Sequence, residues 1–250
     1  MPLLVERRDR VAVLVLDDPP RRNALSPELV SEIVDTVGEL ERDDTVGALV
    51  VTGEPPAFCS GADVGNLAAL TDAGADAGST DLRGIYEGFL RVERSTLPTV
   101  AAVNGPAVGA GLNLALACDL RLASPSARFD SRFLSIGIHP GGGHAWFLER
   151  TVGRQAAAAM VVFGEPVDAD RALELGLVWE VVADDTLVDR AVELAGRAAE
   201  LPRPVVERAE ATLREVPWQP DLEAAVTTEL TRQAWSFGQP YFAERTRKRS

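Results

Sequence analysis

The groups best placed for chemistry in this chain belong to its backbone. Residues 103–119 read VNGPAVGAGLNLALACD, small up to Gly111 and apolar beyond it. A glycine-rich turn that enters a helix leaves the first N–H groups of that helix without partners, pointing outward toward an anion or a developing oxyanion. A second loop, GEPPAFCSGADVGNL, follows the strand-like VGALVVTG and again presents small residues around Gly61. If the two loops leave neighbouring parallel strands, one N–H from each can converge on a single carbonyl oxygen. Losing one such donor costs about 2.7–4 kcal/mol of transition-state stabilisation. A dinucleotide fingerprint is the competing chemical reading, but Gly109-Ala110-Gly111 lacks the third glycine and lies in mid-chain. Close helix packing is the structural alternative.

The side chains that could move protons lie further along. The chain's two histidines, His139 and His144, flank one glycine loop, IHPGGGH, and imidazole titrates in the range needed for proton transfer. Packing at a helix start would equally explain His144, and a surface position His139. Asp130 sits on a strand-like stretch, where a local hydrogen bond is the expected use. Cys59 and Cys118 stand far apart without ligand-like neighbours, which indicates neither a disulfide framework nor a metal site and suits a reducing, cytoplasmic setting.

The elements that must hold these groups follow a strand–helix rhythm from Val11 to Val103: VAVLVLD, SPELVSEIVDTVGELERD, VGALVVTG, LRGIYEGFLRVERSTLP, TVAAVNG. Ser26 is an expected N-cap, with Pro27 in the first helical position and Glu28 in the first turn. A helix is expected from Ala110, a strand at LRLAS, helices at AWFLERTV and RQAAAAMVVF, and a strand at LVWEVV. Between the last two, Asp168 caps ADRALELG and Gly176 stops it. LTDAGADAGSTD reads as a surface loop. The texture divides the chain into an α/β core over 1–195 and a helical region over 196–250. With 25 basic against 38 acidic residues, the net charge of −13 opposes attraction to nucleic acid or an anionic membrane. No leader pattern opens the chain, and its apolar runs fall short of the roughly 18 residues of a membrane span.

The segments PPRRNALS, AFCSGADV, AAVNGPAVGAGLNLALACDLRLAS, IGIHPGGG and VDADRALELGLVWEVV, in that order and spacing, make the chain resemble the enoyl-CoA hydratase/isomerase (crotonase) family over essentially its whole length. The resemblance implies an α/β fold, a crotonase-like spiral of ββα units with a C-terminal helical region that supports trimers, often paired into hexamers. It implies an acyl-CoA substrate, with coenzyme A arriving as part of it and no permanently bound cofactor or metal. The backbone N–H groups of Ala62 and Ala110 would form the oxyanion hole around the thioester oxygen. Arg22, Ala24, Ala62 and Val64 would line the coenzyme A, with Asp63 holding the same loop. Gly109, Phe133 and Pro140 would border the acyl group, and 65–81 would wall its pocket.

The hydratases of this family carry two glutamates, and the matching positions here hold Asn113 and Phe133. Neither accepts a proton at neutral pH. The acidic base that some family isomerases place after the later loop's proline is replaced by Gly141. Asn113, His144 and Asp130 are the remaining side-chain candidates. The chain is expected to be classed as an enoyl-CoA hydratase, with isomerisation or other enolate chemistry, non-catalytic acyl-CoA binding, or a bare scaffold role left open.

Overall fold

The computed structural model describes residues 1–62 and 82–247; the expected loop LTDAGADAGSTD, the acyl wall at 65–81, Asp63 and Val64 lie outside them. Among the described residues, strands β1 (Leu3–Arg8), β2 (Val11–Leu16), β3 (Ala48–Gly53), β4 (Thr99–Val103), β6 (Leu120–Ala123) and β9 (Glu180–Val181) form one sheet in the order β1-β2-β3-β4-β6-β9. Only the β1–β2 pair is antiparallel. A smaller sheet joins β5 (Pro106–Val108) to β7 (Arg128–Asp130) in parallel and β7 to β8 (Val167–Asp168) antiparallel.

The parallel strands are runs of Val, Leu and Ala because both faces of the large sheet are covered. On one face, Leu14, Leu16, Leu49, Val51, Ala101 and Val103 join the core with α1 (Pro27–Arg42), α2 (helical residues 82–93) and α3 (Ala110–Ala117). On the other, Val11, Val13, Val15, Val50, Val100 and Ala102 meet Leu187, Ala191, Ala195 and Ala199 of α6 (Leu187–Ala199). The register alternation of period two assigns each strand residue to its face.

Capping follows the sequence closely. Ser26 accepts the Leu29 N–H, Pro27 opens α1, and the buried face is Leu29, Val30, Ile33, Val37 and Leu40. Asp168 accepts the Arg171 N–H at the start of α5 (Ala169–Glu174), and Gly176 follows at φ +72°.

AWFLERTV and RQAAAAMVVF form the two expected helical stretches, labelled together α4 (His144–Val161) and separated at Gly153 by a non-helical φ of 75° and ψ of 166°. Two elements differ from expectation. The strand at LVWEVV shrinks to Glu180–Val181, because the Leu177 and Val178 N–H groups turn back onto the Ala172 carbonyl. Residue 195 lies inside α6, and Ala195 and Ala199 are both buried against the sheet, so the helical region begins after that helix. It comprises α7 (Arg203–Glu215), α8 (Leu222–Phe237) and α9 (Pro240–Arg247). β1 had no signal, since its LLVERR pattern buries Leu3 alone of its first five residues.

Candidate active site

Two loops leave the parallel strands β3 and β4 and interlock. Cys59 bridges to Ala107 of β5, donating its N–H to Pro106 O at 3.2 Å and accepting the Val108 N–H at 3.0 Å. Glycines permit the approach. A Cβ on Gly61, which has φ +95°, would lie 2.5 Å from Val108 O and 3.3 Å from Ala110 N. A Cβ on Gly111 would lie 2.1 Å from Cys59 O. Ala62 and Ala110, one step beyond these contacts, thereby border the same cavity. Ala110 opens α3, whose eight residues are all buried, so the helix is anchored by its apolar length. Among the described residues, neither the Ala62 nor the Ala110 N–H has an acceptor.

Asn23, which carried no sequence signal, locks the first of these loops. It is fully buried, at φ 57°. Its Oδ1 accepts the Asp18 N–H at 2.9 Å, and its Nδ2 donates to the Glu54 and Ala57 carbonyls, both at 2.8 Å. Arg22 beside it is also left-handed, at φ 53°, and its carbonyl accepts the Ser60 N–H at 3.0 Å. Ala24 is buried. Arg22 and Ala24 thus sit on the segment joined to Ser60–Ala62, outside the cavity lining.

The cavity encloses about 550 Å³ and is mostly apolar. Gly109, Phe133 and Ile136 contribute to its wall, and Tyr86 from α2 presents a phenol that burial pushes above its usual pKa. Tyr86 and Ser131 also belong to this wall and carried no sequence signal, each being a lone residue in an ordinary amphipathic or strand-edge pattern. Pro140, expected in the pocket, is not in the wall; its neighbours His139 and Gly141 are. The Pro140 carbonyl accepts the His139 Nδ1–H at 2.7 Å. Asp130 lies outside the wall too. Its carboxylate accepts from Arg132 Nε at 2.8 Å, while its carbonyl accepts the Gly109 N–H at 2.9 Å.

Asn113 and His144 meet, although neither lines the cavity. Asn113 Nδ2 donates to Gly141 O at 3.0 Å. A peptide carbonyl only accepts, so the Asn113 amide orientation is fixed and its Oδ1 faces His144 Nδ1 at 2.7 Å. The imidazole therefore carries its proton on Nδ1, and Nε2 accepts from the Ser131 hydroxyl at 2.8 Å. Exposures of 1% for Asn113, 1% for His144 and 2% for Ser131 mark the array as buried. Burial lowers the His144 pKa to about 4, so the ring is neutral at pH 7. Phe133 closes the array edge-on, its ring centroid 4.9 Å from that of His144. Of the three, Ser131 alone reaches the cavity.

Both cysteines are buried, and burial pushes each thiol up to about 12. No group of three His, Cys, Asp or Glu side chains among the described residues could hold a metal, and no helix among them is long and apolar enough to cross a membrane.

A family model described as enoyl-CoA hydratase/isomerase matches residues 6–243. The chain is 46% identical over 249 residues, 98% of its length and 95% of the relative's, to "Probable enoyl-CoA hydratase EchA14" of Mycobacterium tuberculosis (strain ATCC 25618 / H37Rv). It is 35% identical over 193 residues, 77% of the chain and 74% of the relative, to 1,2-epoxyphenylacetyl-CoA isomerase of Escherichia coli (strain K12). The solved structure of an enoyl-CoA hydratase from Mycobacterium smegmatis superposes with a TM-score of 0.88 at 32% identity, covering 96% of this chain and 92% of that one. The α/β crotonase-like fold expected from the sequence is the fold observed.

Proposed function

The chain belongs to the enoyl-CoA hydratase/isomerase family, and on that premise we propose that it transforms an enoyl-CoA thioester whose carbonyl oxygen is received by the N–H groups of Ala62 and Ala110. The observation that carries this reading is that both donors lack an acceptor among the described residues while bordering one apolar cavity. Donors fixed in advance stabilise an enolate without reorganising as charge develops. Coenzyme A enters as part of the substrate, along the segment of Arg22, Ala24 and Ala62. The described surface of α8 leaves Leu222, Val226, Leu230 and Phe237 exposed, which supports assembly into a homotrimer or hexamer. Two buried free thiols suit a cytoplasmic setting.

Hydration is the reaction of the class, yet neither Asn113 nor Phe133 supplies a carboxylate. A second reading, isomerisation or related enolate chemistry, draws on that departure and on the likeness to 1,2-epoxyphenylacetyl-CoA isomerase. In both, Tyr86, His139 and Ser131, the last backed by His144, are proton-bearing residues of the cavity wall.

Incubation with crotonyl-CoA and a longer 2-enoyl-CoA, following loss of the conjugated enoyl absorbance, separates the two. Hydration lowers the absorbance and is lost in His144→Ala. Measurable binding with constant absorbance transfers the assignment to isomerase substrates, and absence of binding by either thioester overturns the acyl-CoA reading itself.

A further inference from the structure

We propose that Ser131 is a nucleophile and that the site hydrolyses acyl-CoA thioesters through an acyl-serine; the proposal rests on the acyl-CoA reading above. The Ser131 hydroxyl points its proton at His144 Nε2 at 2.8 Å, and His144 Nδ1–H is held by Asn113 Oδ1 at 2.7 Å. This is the nucleophile, base and orienting group of a serine-hydrolase relay, with an amide in the orienting position as in cysteine proteases that use Cys-His-Asn. A relay of this kind fails when its imidazole takes the wrong tautomer. Here Gly141 O, by binding Asn113 Nδ2, enforces the right one.

The placement relative to the thioester follows from strand register. Val108 of β5 pairs with Asp130 of β7, so Ser131 comes level with Gly109, the residue before the Ala110 donor. The Gly109 N–H bonds the Asp130 carbonyl at 2.9 Å, which ties the two backbones at that level. Ser131, Ala62 and Ala110 border one cavity. A nucleophile and two oxyanion donors bordering one cavity are the groups that acyl transfer requires.

In the acylation step Ser131 Oγ bonds to the thioester carbon, its proton passes to His144 Nε2, and the carbonyl π electrons move to the oxygen held by Ala62 and Ala110. Collapse breaks the C–S bond, and the leaving thiolate takes the Nε2 proton as free coenzyme A. Water then adds to the acyl-serine, giving a proton to Nε2. The C–O bond to Ser131 breaks, Oγ recovers that proton, and a carboxylic acid departs.

The test uses butyryl-CoA, whose saturated chain can be neither hydrated nor isomerised about a double bond. The purified full chain is assayed for free thiol release, and the quenched protein for mass. Expected are thiol release above the blank and a butyryl adduct mapped to the peptide holding Ser131. Ser131→Ala should lose both while still binding butyryl-CoA. Ser131→Cys, nearly isosteric, should carry the acyl group on sulfur and guards against a fold defect in the alanine variant. Binding without thiol release or adduct overturns the proposal and leaves the acyl-CoA reading standing, as does wild-type release by Ser131→Ala. Failure of the wild-type chain to bind butyryl-CoA or any 2-enoyl-CoA overturns both.

Discussion

Gly111 lies so close beneath Cys59 that a Cβ on it would sit 2.1 Å from the Cys59 carbonyl oxygen. That contact fastens the first turn of α3 to the segment ending at Ala62, and so fixes the spacing of the Ala62 and Ala110 N–H groups. In Gly111→Ala the added methyl meets backbone, which cannot rotate away as a flexible side chain would. Overpacking of this kind costs about 1–3 kcal/mol, and the separation it forces should act directly on turnover. Chemical denaturation should show that loss, with kcat/KM on the best enoyl-CoA substrate lowered by at least about tenfold.

Asn23→Ala should destabilise the chain by about 3 kcal/mol. It strips a fully buried residue of bonds to Asp18, Glu54 and Ala57 and leaves their backbone groups unpaired. It also puts alanine at φ 57°, where asparagine is better tolerated. Urea unfolding of the two proteins measures the difference. Retained stability with altered activity would instead assign Asn23 to substrate.

How far the sequence discloses this site depends on whether the information is local. Gly61, Gly109 and Gly111 announce two tight loops because small residues at a strand-to-helix turn have few other uses, and Ser26 and Asp168 announce helix starts through bonds that span three residues. Asn23 is silent because its acceptors are 31 and 34 residues away. Asn113 and His144 each stand out in type, yet their contact crosses 31 residues and depends on the turn at Gly141. Ser131, the link from that pair to the cavity, is an ordinary serine in sequence. The ladder of β5 with β7 makes it conspicuous, and strands of three residues leave too short a pattern to read. That Asn113 and Phe133 bring no carboxylate is legible in the sequence, but the array they join with His144 is not.

Ala110→Pro is a clean probe of the oxyanion donors. Ala110 is the first residue of α3, where proline is accommodated because its missing N–H has no helical partner. The fold should therefore persist while one donor is deleted. Turnover of the enoyl-CoA substrate should fall by about 10²–10³-fold, with near-unchanged thermal unfolding. Turnover equal to wild type in a folded Ala110→Pro protein would remove that N–H from the reaction.

The buried His144 should make the fold acid-sensitive in a defined window. Burial holds its folded pKa at about 4, below the 6.5 of an unperturbed imidazole. Because the folded value is depressed, the unfolded chain takes up the proton first as pH falls. No stability is lost above about 6.5, where both states are neutral; the loss grows from there to about 4 and is complete below it. The full effect is about 3 kcal/mol. Carboxylates titrate over part of the same range, so the comparison is between wild type and His144→Gln, which keeps polar atoms in the array but cannot be protonated. The stability gap between the two should narrow by about 3 kcal/mol from pH 7 to pH 4 in urea titrations. A gap independent of pH would mean that His144 is protonated as easily inside the protein as outside it, and that the Nδ1–H tautomer bonded to Asn113 is not the form that persists.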